Sequence, residues 1–190
     1  MTTHGFVLAG GLSRRMGVDK ATALWQGRPL VVKALDVLST CDHVTVIHRR
    51  PDALTSVLDD HVEVVVDVIV DDEGGEGPLD GLRTALRRSS SDLTVVLAVD
   101  LVGVTTALVG TLIEALEPSD FVAAAVGHSG QRQGLISVWR TTVARPIVDS
   151  WFAQGERSVH ALLSTIDVRW VDVDDDVLRN ANTPGDLAAE

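Results

Sequence analysis

The segment "LAGGLSRRMGVDK" (8–20) places two adjacent glycines ahead of Ser13, Arg15, Asp19 and Lys20. These residue types can hold a polyphosphate. Gly10 and Gly11 tolerate positive φ and close approach, so successive N–H groups can turn inward as an anion nest. Ser13 adds a hydroxyl, Arg15 a guanidinium that forks onto phosphate oxygens, and Lys20 a mobile point charge that Asp19 can steady. Two better-known phosphate patterns are excluded by spacing. Val18, not lysine, follows Gly17, and the first glycines are adjacent where a dinucleotide fingerprint separates them.

A carboxylate with suitable chemistry ends the run "LTVVLAVD" (93–100). Asp100 offers hard oxygens to Mg²⁺, which takes one or two carboxylates and completes its shell with phosphates and water. The same residue could equally cap a helix or shape a turn. Asp71 and Asp72 lie in the acid- and glycine-rich loop "DVIVDDEGGEGPLDG" (67–81). The acid run Asp71–Glu73 could equally be a solvated loop. Asn180 and Asn182 sit two apart on what reads as an extended segment, a spacing that points both to one face. Thr183 and Pro184 directly after them suit the N-cap and first position of a last helix.

The elements that must position these groups alternate. Short apolar runs at 5–10, 43–49, 61–67, 93–100 and 121–126 read as strands. Between them, 29–40, 52–60, 82–90 and 106–116 carry helical spacing. This alternation predicts a mostly parallel, doubly wound α/β sheet, whose ligands bind beyond the carboxyl ends of the strands. Both the cationic segment and Asp100 leave strands at that edge. Past residue 126 the pattern changes: 127–140 reads as a turn and a strand, and helices near 141–153 and 158–165 follow. A half-exposed strand over 167–176 and a capped helix at 183–190 close the chain.

Composition bounds the function. The chain has 190 residues, 45% of them hydrophobic, and a net charge of −11. One domain spanning 1–190 is expected, with no linker or repeat. Residues 1–50 carry seven basic and three acidic side chains, against nine and twenty-four in the remainder. A cationic start on an acidic body fits an anion handled by the N-terminal segment, and argues against nucleic acid or anionic membranes as partners. Cys41, the lone cysteine, excludes an intramolecular disulfide. No apolar leader or spanning segment is read, so a cytoplasmic protein is expected. The six histidines show no metal-ligand spacing and read as surface or cap residues. Trp139, Trp151 and Trp170 read as packing residues, and Asp174–Asp176 as a solvated turn.

The segment 8–20 resembles the signature Leu-Ala-Gly-Gly-x-Ser-x-Arg-Met-Gly-x-Asp-Lys of the MobA-like nucleotidyltransferases, and is most similar to the molybdenum cofactor guanylyltransferase form. "GRPLVVKALDVL" (27–38), "GPLDGL" (77–82) and "NANTPGDL" (180–187) resemble further anchors of that family, in the same order. The resemblance implies a three-layer sandwich around a Rossmann-like sheet. It also implies a Mg²⁺-dependent reaction: the phosphate of molybdopterin attacks the α-phosphorus of GTP and pyrophosphate leaves. On that reading Gly10, Gly11, Ser13 and Arg15 hold the β- and γ-phosphates. Lys20 neutralises the α-phosphate and Asp100 binds the metal. Leu8, Ala9 and the turn of Gly77, Pro78, Leu79 and Gly81 face the base; Asp72, favoured over Asp71, contacts nucleotide or metal; and Asn180 and Asn182 face the second substrate. Cofactor-carrier proteins or apo-molybdoenzymes are implied as transient partners.

Two departures stand out. The family's Asp-Met-Pro is here Asp100-Leu101-Val102, and its His-Pro or Gln-Pro is Gln133-Gly134. Each exchanges a fixed φ for a freer backbone. They leave open a nucleotidyltransferase that uses CTP or a non-pterin phosphate, or a GTP-binding paralogue with impaired catalysis.

Overall fold

Phe6 and Val7 are both fully buried, yet they belong to different cores. Successive side chains of a strand point to opposite faces, so a strand with two buried neighbours must be covered on both sides. The computed structural model, which describes residues 1–10, 19–61, 67–70 and 77–188, shows that arrangement throughout.

The main strands are β1 (Thr3–Leu8), β4 (His43–Ile47), β5 (Asp67–Ile69), β6 (Leu93–Ala98), β7 (Val122–Gly127), β8 (Arg132–Arg140) and β9 (Arg169–Val173). They form one seven-stranded sheet in the order β5-β4-β1-β6-β8-β7-β9, in which only β8 runs antiparallel to its neighbours. Two short strands, β2 (Leu24–Trp25) and β3 (Arg28–Pro29), make a separate hairpin.

One face is covered by α1 (Leu30–Val37), α2 (Thr55–His61) and α4 (Thr106–Ala115), which share a core with Val7, Val46, Val95 and Leu97. The other carries α3 (Pro78–Arg88), α5 (Thr141–Ala153) and α6 (Val159–Leu163), packed on Phe6, Ile47, Val96 and Trp139. Leu79, Leu82 and Leu86 of α3 are fully buried there, each worth about 1.5–3 kcal/mol of transfer free energy. The three-layer α/β sandwich expected from the sequence is the observed fold.

Several boundaries differ from the sequence reading. The strand expected over 61–67 is described only as Asp67–Ile69, while His61 ends α2. The turn expected at 77–81 is the first turn of α3, with Pro78 at its first position. Proline lacks only an N–H that has no helical partner at that position, so it starts the helix four residues earlier than the apolar pattern suggested. Gly77 precedes it at φ +119, a backbone region that other L-residues rarely adopt. The hairpin of β2 and β3 was not anticipated; it turns through Gln26 and Gly27, both at positive φ.

Chain order reverses between β1 and β6. From β1 the chain steps outward through β4 to β5, then crosses back to β6 on the other side of β1. Adjacent strands whose connections diverge leave a crevice beyond their carboxyl ends. Here that crevice lies past Leu8 and Ala98, which are paired in register.

Candidate functional site

From Leu8 and Ala98 the chain leads directly to the candidate groups. β6 ends at Ala98, and the next residues turn: the Leu101 amide donates to the Ala98 carbonyl at 3.2 Å. Asp100 therefore stands in the turn beyond the strand and not within it, with its side chain 19% exposed. On the neighbouring connection, Asp19 caps a short 3-10 turn, Lys20–Thr22, by accepting the Ala21 amide on Oδ1. That cap directs Lys20 toward the crevice. Its Nζ lies 2.6 Å from Asp100 Oδ2 and 2.8 Å from Asn182 Oδ1. Three parts of the chain thus meet at one ammonium group.

The Asp100 turn is held by a partner far along the chain. Leu101 and Asn180 form an antiparallel bridge, Ala181 donates its amide to the Asp100 carbonyl at 2.9 Å, and Val102 donates to the Arg179 carbonyl at 3.1 Å. A proline at 102 would lack that last donor. The freer backbone expected from the Asp100-Leu101-Val102 sequence is pinned by these bonds, so the departure replaces one restraint with another.

Asn182 is set by the next element. α7 (Pro184–Ala188) begins with a reciprocal cap. The Asp186 amide donates to Thr183 Oγ1, while the Asp186 carboxylate accepts the amides of Thr183 at 2.7 Å and Asn182 at 2.8 Å. Those bonds, the Asn182 amide first, hold the Asp186 carboxyl below its ordinary pKa, with Lys20 adding a smaller attraction. Asn180 behaves differently from Asn182: its buried Oδ1 has no hydrogen-bond partner among the described residues.

Along the edge at the end of β1, the Ala9 amide already donates to Ile47 and the Leu8 carbonyl already accepts from Val99. Gly81 packs against Leu8, whose methyls would lie 3.2 Å from an added Cβ. The Leu79 amide donates to the Arg157 carbonyl. Gly77, Pro78, Leu79 and Gly81 therefore start α3 beside the end of β1, with part of their backbone hydrogen bonding committed to the fold. Gly10 is half-buried just beyond Ala9. Gly11, Ser13, Arg15, Asp71 and Asp72 lie outside the described residues.

Asp100 fits magnesium better than it fits a protein-built metal cage. Among the described residues no group of three His, Cys, Asp or Glu side chains gathers in one place. One carboxylate with free space for phosphate and water is the arrangement Mg²⁺ commonly takes. Lys20 occupies Oδ2, and among the described residues no hydrogen bond is made to Oδ1.

Two readings of single residues change. His48, expected at the surface or as a cap, is 3% exposed, and its Nε2 lies 3.0 Å from Asp19 Oδ2. Gln133 and Gly134 stand at an irregularity of β8, where pairing with β7 jumps from Ser137 to Gln133. A Cβ on Gly134 would meet Val159 and Leu163 of α6. Glycine there permits the helix to approach. Trp139 is buried as expected, donating its Nε1–H to Ser137 Oγ.

The chain is similar to known proteins along most of its length. Residues 5–169 match the model of the MobA-like NTP transferase domain. A protein of Synechococcus elongatus named probable molybdenum cofactor guanylyltransferase is 33% identical over 193 residues, covering 100% of this chain and 98% of its own. One named molybdenum cofactor guanylyltransferase, from Mannheimia succiniciproducens, is 30% identical over 163 residues, covering 83% and 80%. Among solved structures, molybdopterin-guanine dinucleotide biosynthesis protein A of Archaeoglobus fulgidus superposes with a TM-score of 0.77 at 23% identity, covering 97% of this chain and 95% of that one. A CMP:2-keto-3-deoxy-manno-octonic acid synthetase superposes at 0.78 with 15% identity, covering 99% and 96%, and shares the fold alone.

Proposed function

The chain belongs to the MobA-like NTP transferase family, and from that premise we propose that it is a molybdenum cofactor guanylyltransferase, moving GMP from GTP to the phosphate of molybdopterin. The observation that carries the reading is the meeting of Lys20, Asp100 and Asn182 at the strand-order reversal. A phosphate oxygen of the pterin attacks the α-phosphorus, the bond from that phosphorus to the bridging oxygen breaks, and pyrophosphate leaves with the electron pair. Such a transfer needs alignment and charge neutralisation more than a covalent protein nucleophile.

Each residue has an assigned part. Lys20 neutralises charge on the α-phosphate as it grows. Asn182 and Asp100 hold the ammonium in the crevice until the nucleotide arrives. Gly10, Gly11, Ser13 and Arg15 grip the β- and γ-phosphates, the turn at Gly77 to Gly81 faces the base with Leu8 and Ala9, and Asp72 contacts the nucleotide or its metal. Asn180, with its unpartnered oxygen, faces the second substrate. Asp100 would hold Mg²⁺, which when bound supplies positive charge to the phosphate oxygens. A reaction that consumes GTP, on a chain with one unpaired cysteine, belongs in the cytoplasm. Carrier proteins or apo-molybdoenzymes are the partners such a product would meet.

The test is nucleotide preference together with turnover. Thermal denaturation with GTP, CTP, ATP or UTP, with and without Mg²⁺, should show the largest stabilisation by GTP with Mg²⁺. Pyrophosphate should appear only when molybdopterin is added. Preferential stabilisation by CTP would overturn the guanylyl assignment, and binding of GTP without pyrophosphate release would reduce the protein to a binding module.

A further inference from the structure

The buried histidine at the end of β4 takes no part in the reaction as written, yet both of its ring nitrogens are engaged. Nε2 lies 3.0 Å from Asp19 Oδ2, and Nδ1 lies 2.8 Å from the Arg50 carbonyl and 3.1 Å from the Arg50 amide. With its proton on Nε2 the neutral ring donates to Asp19 and accepts the Arg50 amide. The imidazolium also donates to Asp19, turning its other N–H to the Arg50 carbonyl. In either state the Asp19 bond survives.

The backbone of His48 is fixed as well, since its amide donates to the Ile69 carbonyl of β5 at 2.9 Å. Asp19 divides its two oxygens. Oδ1 caps the Lys20–Thr22 turn through the Ala21 amide, and Oδ2 receives His48. The Arg50 guanidinium approaches the same Oδ2 only at 3.6 Å and is 74% exposed. The buried imidazole is therefore the group that sets the cap, and the cap sets where Lys20 begins.

We infer that His48 is a positioning residue for Lys20: by locking Asp19 it fixes the short turn from which the ammonium reaches the nucleotide crevice. This rests on the assignment of Lys20 to the α-phosphate for its effect on catalysis, but not for its effect on the turn. A side chain with an amide N–H in place of Nε2 should preserve the lock. One without a donor should release it.

Only two lysines occur in the chain, Lys20 and Lys33, so amine labelling of the whole protein carries its own reference. Competitive acetylation read by mass spectrometry should show Lys20 reacting several-fold faster, relative to Lys33, in His48→Leu than in the original protein. His48→Gln should restore protection to within twofold. In transfer assays His48→Leu should lower kcat about tenfold with little change in KM for GTP, and in an Asp19→Asn background His48→Leu should add little more. Unchanged Lys20 labelling in a folded His48→Leu protein overturns the inference. If His48→Leu fails to fold, His48→Gln and Asp19→Asn decide it: Lys20 exposed by the second and not the first supports the lock, and any other pattern rejects it. Failure of guanylyl transfer in the original protein would leave the labelling result intact, so the two readings fail separately.

Discussion

Lys20 Nζ and Asp100 Oδ2 stand 2.6 Å apart, although eighty residues separate them in the chain. Their side chains are 14% and 19% exposed, so the pair sits at the mouth of the crevice and not deep in the core. In a largely buried pair the Coulomb attraction is offset by the desolvation of both charges, so its net worth for stability is small. Its value lies in pre-aiming an ammonium that would otherwise sample many rotamers. On the proposed function, triphosphate oxygens would compete with Asp100 for Lys20, and the carboxylate would then be free to hold magnesium.

Removing either partner should therefore cost rate more than fold. Lys20→Ala and Asp100→Asn are each expected to lower GMP transfer by about 10²–10³-fold, with melting temperatures within a few degrees of the original protein. Pyrophosphate release under saturating GTP reads this directly. Near-normal turnover in Asp100→Asn would move the metal site to another carboxylate.

The sequence made this contact legible in part. Residues 8–20 carry the residue types expected of a phosphate-holding loop, and the apolar run leading to Asp100 points to a carboxylate just beyond the same sheet edge. What could not be read is the bridge between Leu101 and Asn180, because pairing of two isolated residues leaves no periodicity. Nor could His48 be read as a partner of Asp19. A histidine after a strand looks the same whether it faces solvent or a buried carboxylate, and only the placing of β4 beside β1 decides. By contrast, the cap of the last helix is legible in Thr183 and Pro184, and the spacing Thr183-x-x-Asp186 adds the reciprocal half of a capping box that the two residues alone do not show.

That cap gives a pH-dependent prediction. Hydrogen bonds from Asn182 and Thr183 hold the Asp186 carboxyl below its ordinary pKa, near 4 in an unfolded chain. Between the two values the unfolded state binds more protons, so stability rises with pH there. The contribution is complete above about pH 5 and lost as pH falls through the folded value. Asp186→Asn should lower the melting temperature by more at pH 7 than at pH 3. Because Asn182 accepts from Lys20, the same substitution should also slow transfer. An equal melting penalty at both pH values would show that the carboxylate charge is not what stabilises the cap.

Gly103 tests the support beneath Asp100. A Cβ there would collide with the carbonyl oxygens of Asp176 and Val177, main-chain atoms that cannot swing aside. Gly103→Ala should cost about 1–3 kcal/mol, the range for an overpacked site. For a chain of this size that lowers the melting temperature by about 2–12 °C. Gly110, inside α4 with nothing within 4 Å of its added Cβ, supplies the contrast. Gly110→Ala should raise stability by up to about 1 kcal/mol through helix propensity alone. Equal behaviour of the two variants in thermal denaturation would refute the steric account.

Cys41 should be chemically silent in the folded protein. Its Sγ packs beneath Gly5, where an added Cβ would lie 3.2 Å away. Burial is the main cause that pushes its thiol up to about 11 from an ordinary value of 9.0. The thiolate is the reactive form, so at pH 8 its population falls about a hundredfold relative to the unfolded chain. Iodoacetamide should alkylate Cys41 about a hundred times more slowly in the native protein than in urea. Between pH 9 and 11 the native state holds a proton that the unfolded state releases, so this group's contribution to stability declines as pH rises through that window. Because no step of the proposed transfer uses a thiol, brief iodoacetamide treatment at pH 8 should leave turnover intact. Rapid alkylation accompanied by loss of activity would show that Cys41 is open to solvent and tied to the site, contrary to its packing against Gly5.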